Sequence, residues 1–241
     1  ISSIEAAGKT NAISTNATAE LFAPKAELEN AEALIIQLAG DFRNEFGERD
    51  SVSVELASGD ARDALCYTPQ SQKRAVSALS LLPNGVLGMS FNIADLVESS
   101  SNPGFIEQKE NELIIHSLAR SSVGSRKTEI KEKFAAIAAL TGGESVCSAE
   151  YPQWEYRADS PLRKLAMETY EELFNKEAKA MAIHAGLECG FFDKMLESVD
   201  IISYGPELQD IHTPKERADI ASVERIWTLT LRILEKLAKQ A

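Results

Sequence analysis

Residues 111–143, NELIIHSLARSSVGSRKTEIKEKFAAIAALTGG, decide the fold class because they join a strand to a helix. The first part, through Ser122, is rich in apolar residues and is bounded by turn residues, which is typical of a strand. The part from Ser125 has helical composition and ends at the pair Gly142 and Gly143, a common stop for a helix. A strand followed directly by a helix predicts strands packed against helices.

The residues before this stretch extend the same pattern. Helices are predicted from Pro24 to a stop at Gly47 and over 69–82, before the breaker Pro83. Strands are predicted over 1–6, 16–23, 51–58, 86–99, 111–122 and 144–152, with the Ser/Asn/Pro/Gly run 99–104 as a loop. Residues 1–150 are therefore predicted to form an α+β domain, a sheet with helices on one face.

The composition changes at YPQWEYRADSP, residues 151–161. An amphipathic helix capped by Ser160 and Pro161 follows, then the apolar strand VDIISYG (199–205) and a long helix from Pro214. This alternation predicts α/β construction with a mostly parallel sheet. The interpretation is a second domain over 151–241, with the boundary near Tyr151.

Composition limits the classes of partner. The chain has 241 residues and a net charge of −12, which opposes binding to nucleic acid or to an anionic membrane surface. No apolar run approaches the roughly 20 residues that span a bilayer. Three widely spaced cysteines, Cys66, Cys147 and Cys189, predict reduced thiols in a cytoplasm. The start at Ile1, without a signal-peptide pattern, suggests a chain entered part-way through.

His212 follows a predicted strand and precedes an apparent helix start. Thr213, Pro214 and Glu216 match the N-cap, first position and N3 position of a capping box. A backbone fixed in this way would hold the imidazole as a zinc ligand. The alternative is a surface histidine near a helix N-terminus.

Arg120 ends the strand NELIIHSLAR beside small hydroxyl residues. An arginine fork at such a place suits bidentate capture of a carboxylate, and a solvent-exposed strand arginine is the alternative. Asn92 is a polar interruption in the predicted strand 86–99 and would pair either with substrate or with its neighbours.

The segment HAGLECG (184–190) carries two glycines that permit a tight turn and close approach to a ligand. Gly186 lies at this turn, and Glu188 could accept hydrogen bonds from a cationic group. The alternative is a plain turn with a solvated Glu188 and a packed His184. Cys189 is interpreted as a small buried residue, since no helix N-terminus or basic cluster is evident to activate its thiol.

Common catalytic motifs are absent from the sequence. It contains no G-x-S-x-G, H-E-x-x-H, P-loop or G-x-G-x-x-G pattern. Serine-hydrolase and nucleotide-binding chemistry therefore have no support.

Two segments, AIHAGLECGFF (182–192) and VDIISYGPELQDIHTPKERADIASVERIW (199–227), resemble the carboxyl-terminal region of the aminoacyl-histidine dipeptidases, a branch of the M20 metallopeptidase family. Further similarity runs through the chain in NGVLGMSFNIADL, IIHSLARSSVGS, YPQWEYRADSPL and YEELFNK. Thr213 replaces the serine of the family's His-Ser-Pro turn, which preserves the cap chemistry. Ser14 stands where the family has proline.

The resemblance implies a zinc dipeptidase with two metal ions, a catalytic domain and a smaller lid domain that carries a dimer surface. It assigns the last metal ligand to His212 and the binding of the substrate's terminal carboxylate to Arg120. Gly186, Glu188 and Asn92 would contact substrate, a dipeptide of the Xaa-His type. Residues 1–150 would be most of the lid, and 151–241 the closing part of the catalytic domain.

The family's other metal ligands and its catalytic glutamate have no counterpart motif in this sequence. The expectation is that the chain alone is inactive and that the amino-terminal half of the catalytic domain is its partner. An alternative is a fragment that acts only as a dimerisation or binding module. A further alternative is an amidohydrolase or deacetylase relative, against which HAGLECG argues.

Overall fold

The structure, a computed structural model, describes residues 1–48, 50–59, 65–196 and 198–240. Its strands are β1 (Ser3–Ala7), β2 (Asn16–Glu20), β3 (Gly85–Met89), β4 (Val97–Lys109), β5 (Glu112–Ser121), β6 (Leu208–Gln209) and β7 (Arg217–Ala218). Its helices are α1 (Leu28–Phe46), α2 (Pro69–Leu81), α3 (Gly124–Thr141), α4 (Pro161–Phe174), α5 (Cys189–Met195) and α6 (Ile220–Ala238). The predicted α+β fold is confirmed.

The chain divides into two compact units. The first contains Ile1–Pro83, Asn102–Leu118 and Ala136–Glu144, and the second contains Asn84–Ser101, Ala119–Ala135 and Ser145–Ala241. Strands β4 and β5 and helix α3 each contribute to both units. The predicted domain boundary near residue 150 stays a prediction.

The first unit is built on the antiparallel pair β1 and β2, in which Ser3 faces Glu20 and Ala7 faces Asn16. Strand β1 also pairs with β4 through Ala6 and Ile106. Helix α1 ends as predicted at Gly47, whose φ of 60° suits a residue without Cβ.

In the second unit, β3 and β4 pair antiparallel from Gly85 opposite Ser101 to Met89 opposite Val97. Helix α4 packs against α6, where Leu229 and Ile233 are buried. The hairpin formed by β6 and β7 precedes α6 directly. No helix among the described residues combines the length and hydrophobicity that crossing a membrane requires.

The predicted loop 99–104 is wrong, because these residues lie inside the thirteen-residue strand β4. The Asn102 amide donates to the backbone carbonyls of Thr10 and Ala12, at 2.9 and 2.8 Å. A Cβ at Gly104 would lie 2.4 Å from the Lys9 carbonyl oxygen. Turn-forming residues therefore occur in this strand because a neighbouring loop approaches its backbone closely.

Three other predicted strands, 51–58, 144–152 and 199–205, form no strand. The described part of 151–241 pairs two strands only, β6 with β7, and they are antiparallel. Parallel pairing was expected here from the alternation of apolar segments and helices. A strand needs a neighbour to complete its hydrogen bonds, and the local sequence pattern does not supply one.

Helix α4 begins as predicted at Ser160, which is nearly buried. Its hydroxyl accepts from the Arg163 N–H at 3.1 Å and donates to Asp200 Oδ1 at 2.7 Å. The other Asp200 oxygen accepts from the Leu162 N–H at 2.7 Å. The cap therefore ties the start of α4 to the segment that leads to the β6–β7 hairpin.

We expect Ser160→Ala to lower the free energy of unfolding by about 1–2 kcal/mol, because it removes a cap and leaves Asp200 with one partner fewer. Thr68→Ala is the matched control: it removes the exposed cap of α2, in the other unit, and should cost about 0.5–1 kcal/mol. Urea denaturation of the chain measures both. A Ser160→Ala loss no larger than that of Thr68→Ala would contradict the structural role of the buried cap.

Candidate functional site

Arg120 and the HAGLECG turn lie together in the second unit. Arg120 is the penultimate residue of β5 and is half-buried. Its Nη1 donates to the backbone carbonyl of His184 at 2.9 Å. This hydrogen bond joins residues 64 positions apart in sequence and brings together two segments that the sequence singled out separately.

The His184 side chain is hydrogen-bonded to strand β4. Its Nε2 lies 2.6 Å from the Ser100 hydroxyl oxygen. Burial lowers the pKa of the His184 imidazole and the positive charge of Arg120 lowers it further, whereas a backbone hydrogen bond to Val97 acts in the opposite direction. The imidazole is therefore neutral at neutral pH, and it accepts from Ser100 when its other nitrogen donates to Val97.

A side chain at Gly186 would crowd the ring of Tyr151. A Cβ there would lie 3.0 Å from Cδ1 of the Tyr151 ring, which itself packs edge-to-face on Phe191 at a centroid distance of 4.6 Å. At Gly190 a Cβ would lie 2.6 Å from the Pro152 carbonyl oxygen. Both glycines of the motif thus permit close packing on the segment around residue 151.

Glu188 is the N-cap residue of α5, but its side chain makes no cap hydrogen bond and is exposed. Cys189 is the first residue of that helix, so the expectation that no helix N-terminus lies beside it is wrong. Burial nevertheless raises the pKa of the Cys189 thiol, which agrees with its interpretation as an unreactive residue.

Asn92 does not lie on a strand, which corrects the prediction of a continuous strand over 86–99. It is exposed in the turn between β3 and β4, and its backbone N–H donates to the Ser90 hydroxyl at 3.2 Å. The hydrogen bonds formed by the described residues do not link Asn92, Glu188 or His212 to Arg120.

His212 lies in the loop of the hairpin between β6 and β7, not at a helix start. The predicted start of the last helix at Pro214 is wrong, because α6 begins at Ile220 and Asp219 is its N-cap. The backbone around His212 is nonetheless fixed. Its N–H donates to Glu216 Oε2 at 3.0 Å and the Lys215 N–H donates to the Thr213 hydroxyl at 3.2 Å, so the predicted capping-box residues form local bonds but not the two bonds of a capping box.

Two residues of this loop have positive φ, 52° at Asp210 and 66° at His212. This conformation is uncommon for non-glycine residues and is found preferentially at functional sites. The Arg217 guanidinium pairs with the Asp210 carboxylate across the base of the loop. The His212 side chain is exposed, so the hairpin presents an imidazole on a constrained backbone.

These residues do not by themselves fit a metal centre. No group of three or more His, Cys, Asp and Glu side chains in the described ranges could hold a metal ion. A bridged two-metal site needs several carboxylates and more than one histidine. The hairpin offers a single imidazole.

Ser100, Val97 and Tyr151 are site residues that the sequence reasoning missed. The sequence predicts Val97 at the end of a strand and Ser100 in a loop, whereas strand β4 contains both residues and places them beside His184. For Tyr151 the sequence predicts only a domain boundary nearby. The signal in the sequence was the serine run 99–101. In the structure Ser99 and Ser101 are buried, and because side chains alternate along a strand, Ser100 points to the opposite face.

Comparison with known proteins finds similarity to dipeptidases. No protein-family model matches the chain. The cytosol non-specific dipeptidase of Escherichia coli K12 is 32% identical over 227 residues, which cover 94% of this chain and 47% of that protein. The crystal structure of aminoacylhistidine dipeptidase from Vibrio alginolyticus matches with a TM-score of 0.88 and 29% identity, over 97% of this chain and 48% of that chain.

A more distant fold likeness is seen to the aminopeptidase PepT of Bacillus cereus, with a TM-score of 0.53 and 17% identity over 69% of this chain. The chain thus spans about half the length of the dipeptidases that it matches. Over that half the chain is homologous to the cytosol non-specific dipeptidase of Escherichia coli and similar in structure to the aminoacylhistidine dipeptidase of Vibrio alginolyticus.

Proposed function

We propose that this chain is part of a metal-dependent dipeptidase and supplies the residues that hold the substrate's free carboxylate. The observation that carries the proposal is Arg120, half-buried and fixed by one hydrogen bond to the His184 carbonyl. The names of its relatives, two dipeptidases, support peptide hydrolysis as the reaction.

Arg120 has the chemistry that this role requires. A guanidinium has five N–H donors in a planar fork, and the bond to His184 uses one of them. The remaining donors suit a bidentate pair with the carboxylate at the end of a dipeptide. Partial burial strengthens such a pair because the local dielectric is lower than in water.

Three further residues are proposed to contact the dipeptide. Glu188 is exposed and free of a cap bond, so its carboxylate can accept from the substrate's ammonium group. Gly186 gives substrate close access to backbone, and the Asn92 amide offers one donor and one acceptor group. We propose dipeptides with a carboxyl-terminal histidine as preferred substrates, as the name of the Vibrio relative suggests.

His212 is proposed as one ligand of a two-zinc centre. The other ligands are proposed to come from the half of the protein that this chain does not match in its relatives. The exposed imidazole on a constrained loop is suited to bind a metal through one ring nitrogen. When bound, the zinc ions would polarise the peptide carbonyl and lower the pKa of a water molecule. This chain alone is proposed to be inactive, since its described residues supply substrate contacts and one metal ligand but no group that could hold a metal ion by itself.

The exposed surface supports a completing polypeptide. Helix α6 carries exposed apolar side chains at helical spacing: Ile220, Val223, Trp227, Leu231 and Leu234. We propose that the amino-terminal half of the catalytic domain, which this chain does not match in its relatives, covers them.

Two further proposals follow from the first unit and from the relatives. Helix α1 exposes Leu34, Leu38, Phe42 and Phe46, spaced four residues apart, and buries only Ala39. We propose that this face joins two copies of the protein in a homodimer. A cytoplasmic location is proposed from the name of the Escherichia coli relative and from three free cysteines, two of them exposed.

Hydrolysis of three substrates by the complete protein tests the proposed function. We expect β-alanyl-histidine and other unblocked dipeptides to be cleaved, with the histidine dipeptides preferred. The carboxyl-terminal amide of the same dipeptide should react with a kcat/KM at least about 30-fold lower, because it cannot pair with Arg120 as an anion. Equal rates on dipeptide and amide would contradict a carboxylate-binding site.

A further inference from the structure

The imidazole of His184 lies between the strand that carries Ser100 and the turn that contacts Arg120. Its ring is hydrogen-bonded to Ser100 at 2.6 Å, and its backbone carbonyl accepts from Arg120 at 2.9 Å. The carbonyl is thus on a turn without regular secondary structure, whereas the ring is bound to a strand. One residue connects the arginine to the sheet.

We propose that His184 is a positioning residue: its ring, locked to Ser100 of β4, fixes the carbonyl that orients the Arg120 guanidinium toward the substrate carboxylate. This inference rests on the proposed carboxylate-binding role of Arg120. It assigns to the histidine of the HAGLECG segment a role in substrate recognition without contact with the substrate.

An arginine side chain needs such support. It has several rotatable bonds, and ordering a free arginine side chain on binding costs free energy that weakens affinity. The bond from Nη1 to the His184 carbonyl orders the guanidinium before substrate arrives. The carbonyl can do this only while its own turn is immobile, and Gly186 and Tyr151 pack that turn on one side while Ser100 holds it on the other.

The neutral state of the ring fits this role. A protonated imidazole would place a second positive charge beside Arg120, and burial opposes that charge as well. A neutral ring can accept from the Ser100 hydroxyl without competing for the anionic substrate. The Ser100 hydroxyl bonds to the His184 ring, whereas the neighbouring Ser99 hydroxyl bonds to Ser121, at 3.1 Å.

Steady-state kinetics of the complete enzyme with a dipeptide and its carboxyl-terminal amide test the inference. We expect His184→Ala and Ser100→Ala to raise KM for the dipeptide about 10-fold, with kcat changed less than threefold, and to change KM for the amide less than twofold. His184→Gln retains an acceptor near the Nε2 position and should restore KM to within about threefold of wild type. In an Arg120→Ala background, adding His184→Ala should have no further effect.

The outcomes separate this inference from the proposed function. One outcome is that Arg120→Ala raises KM for the dipeptide more than for the amide, while His184→Ala and Ser100→Ala raise KM for both substrates equally. In that case His184 is merely structural and the inference is overturned. If Arg120→Ala changes KM for the dipeptide and for the amide equally, Arg120 does not bind the carboxylate, and both the proposed function and the inference are overturned. Should His184→Ala fail to fold, Ser100→Ala, which keeps the imidazole, decides between the same results.

Discussion

Replacement of Arg120 by alanine in the complete enzyme is expected to lower kcat/KM for an unblocked dipeptide by roughly 30- to 1,000-fold, or about 2–4 kcal/mol. The reason is that a half-buried guanidinium would lose its pair with the substrate carboxylate. Arg120→Lys keeps the charge but not the fork, so it should recover only part of the loss.

Arg126→Ala is the matched control for this experiment. Arg126 is an exposed arginine of the same unit, paired with Glu129 on α3 through a bond of 2.8 Å. Its removal should change kcat/KM less than twofold, since exposed ion pairs contribute little. A loss at Arg120 that is equally large for the dipeptide amide, or no larger than that at Arg126, would refute the assignment.

His212→Ala in the complete enzyme is expected to reduce bound zinc by about one equivalent and to lower kcat at least about 1,000-fold. One first-sphere ligand is removed, and the remaining loop offers no other imidazole to replace it. Elemental analysis of the purified protein measures the metal independently of activity. The circular dichroism spectrum should stay unchanged, because the His212 side chain is exposed and only its backbone is hydrogen-bonded.

His116→Ala serves as the histidine control. The His116 ring stacks on Phe105 at a centroid distance of 4.0 Å and bonds to Glu107, and no role in binding substrate or metal is proposed for it. Its replacement should leave zinc content and kcat within twofold of wild type, at some cost in stability. Unchanged zinc in His212→Ala would show that this histidine is a surface residue, which was the alternative interpretation of the sequence.

The sequence predicted helix ends well because they depend on neighbouring residues. Ser160 and Thr68 accept from backbone N–H groups three residues ahead, and Gly47 supplies the positive φ that ends α1. Such signals lie within a few positions of each other, so a single sequence contains them.

Strands and the site depend on residues far apart in the chain. Residues 99–104 of β4 include turn-forming residues, and their extended conformation is supported by pairing with β3 and by the approach of residues 9–12. The bonds from His184 to Ser100 and Arg120 span 84 and 64 positions. The sequence could single out Arg120 and HAGLECG by their chemistry and family resemblance, but it could not predict the hydrogen bond that joins them.

The false helix start at Pro214 has a local physical cause. The Glu216 carboxylate accepts from the His212 N–H and the Thr213 hydroxyl from the Lys215 N–H, which are not the two bonds of a capping box, and the pairing of β6 with β7 takes up the following residues. The helix therefore begins only at Ile220, where Asp219 accepts from the Ser222 N–H at 2.6 Å. The sequence pattern around Thr213 therefore predicts a helix start, and the hairpin that replaces it depends on a strand pairing that the pattern does not contain.

Dipeptide hydrolysis by the zinc-loaded complete protein, compared with the same protein lacking the residues of this chain, tests the central claim most directly. The account predicts cleavage of unblocked dipeptides by the complete protein and a loss of at least about 1,000-fold without this chain, because Arg120 and His212 are then missing. Undiminished hydrolysis by the remainder, or no hydrolysis by the zinc-loaded complete protein, would contradict it.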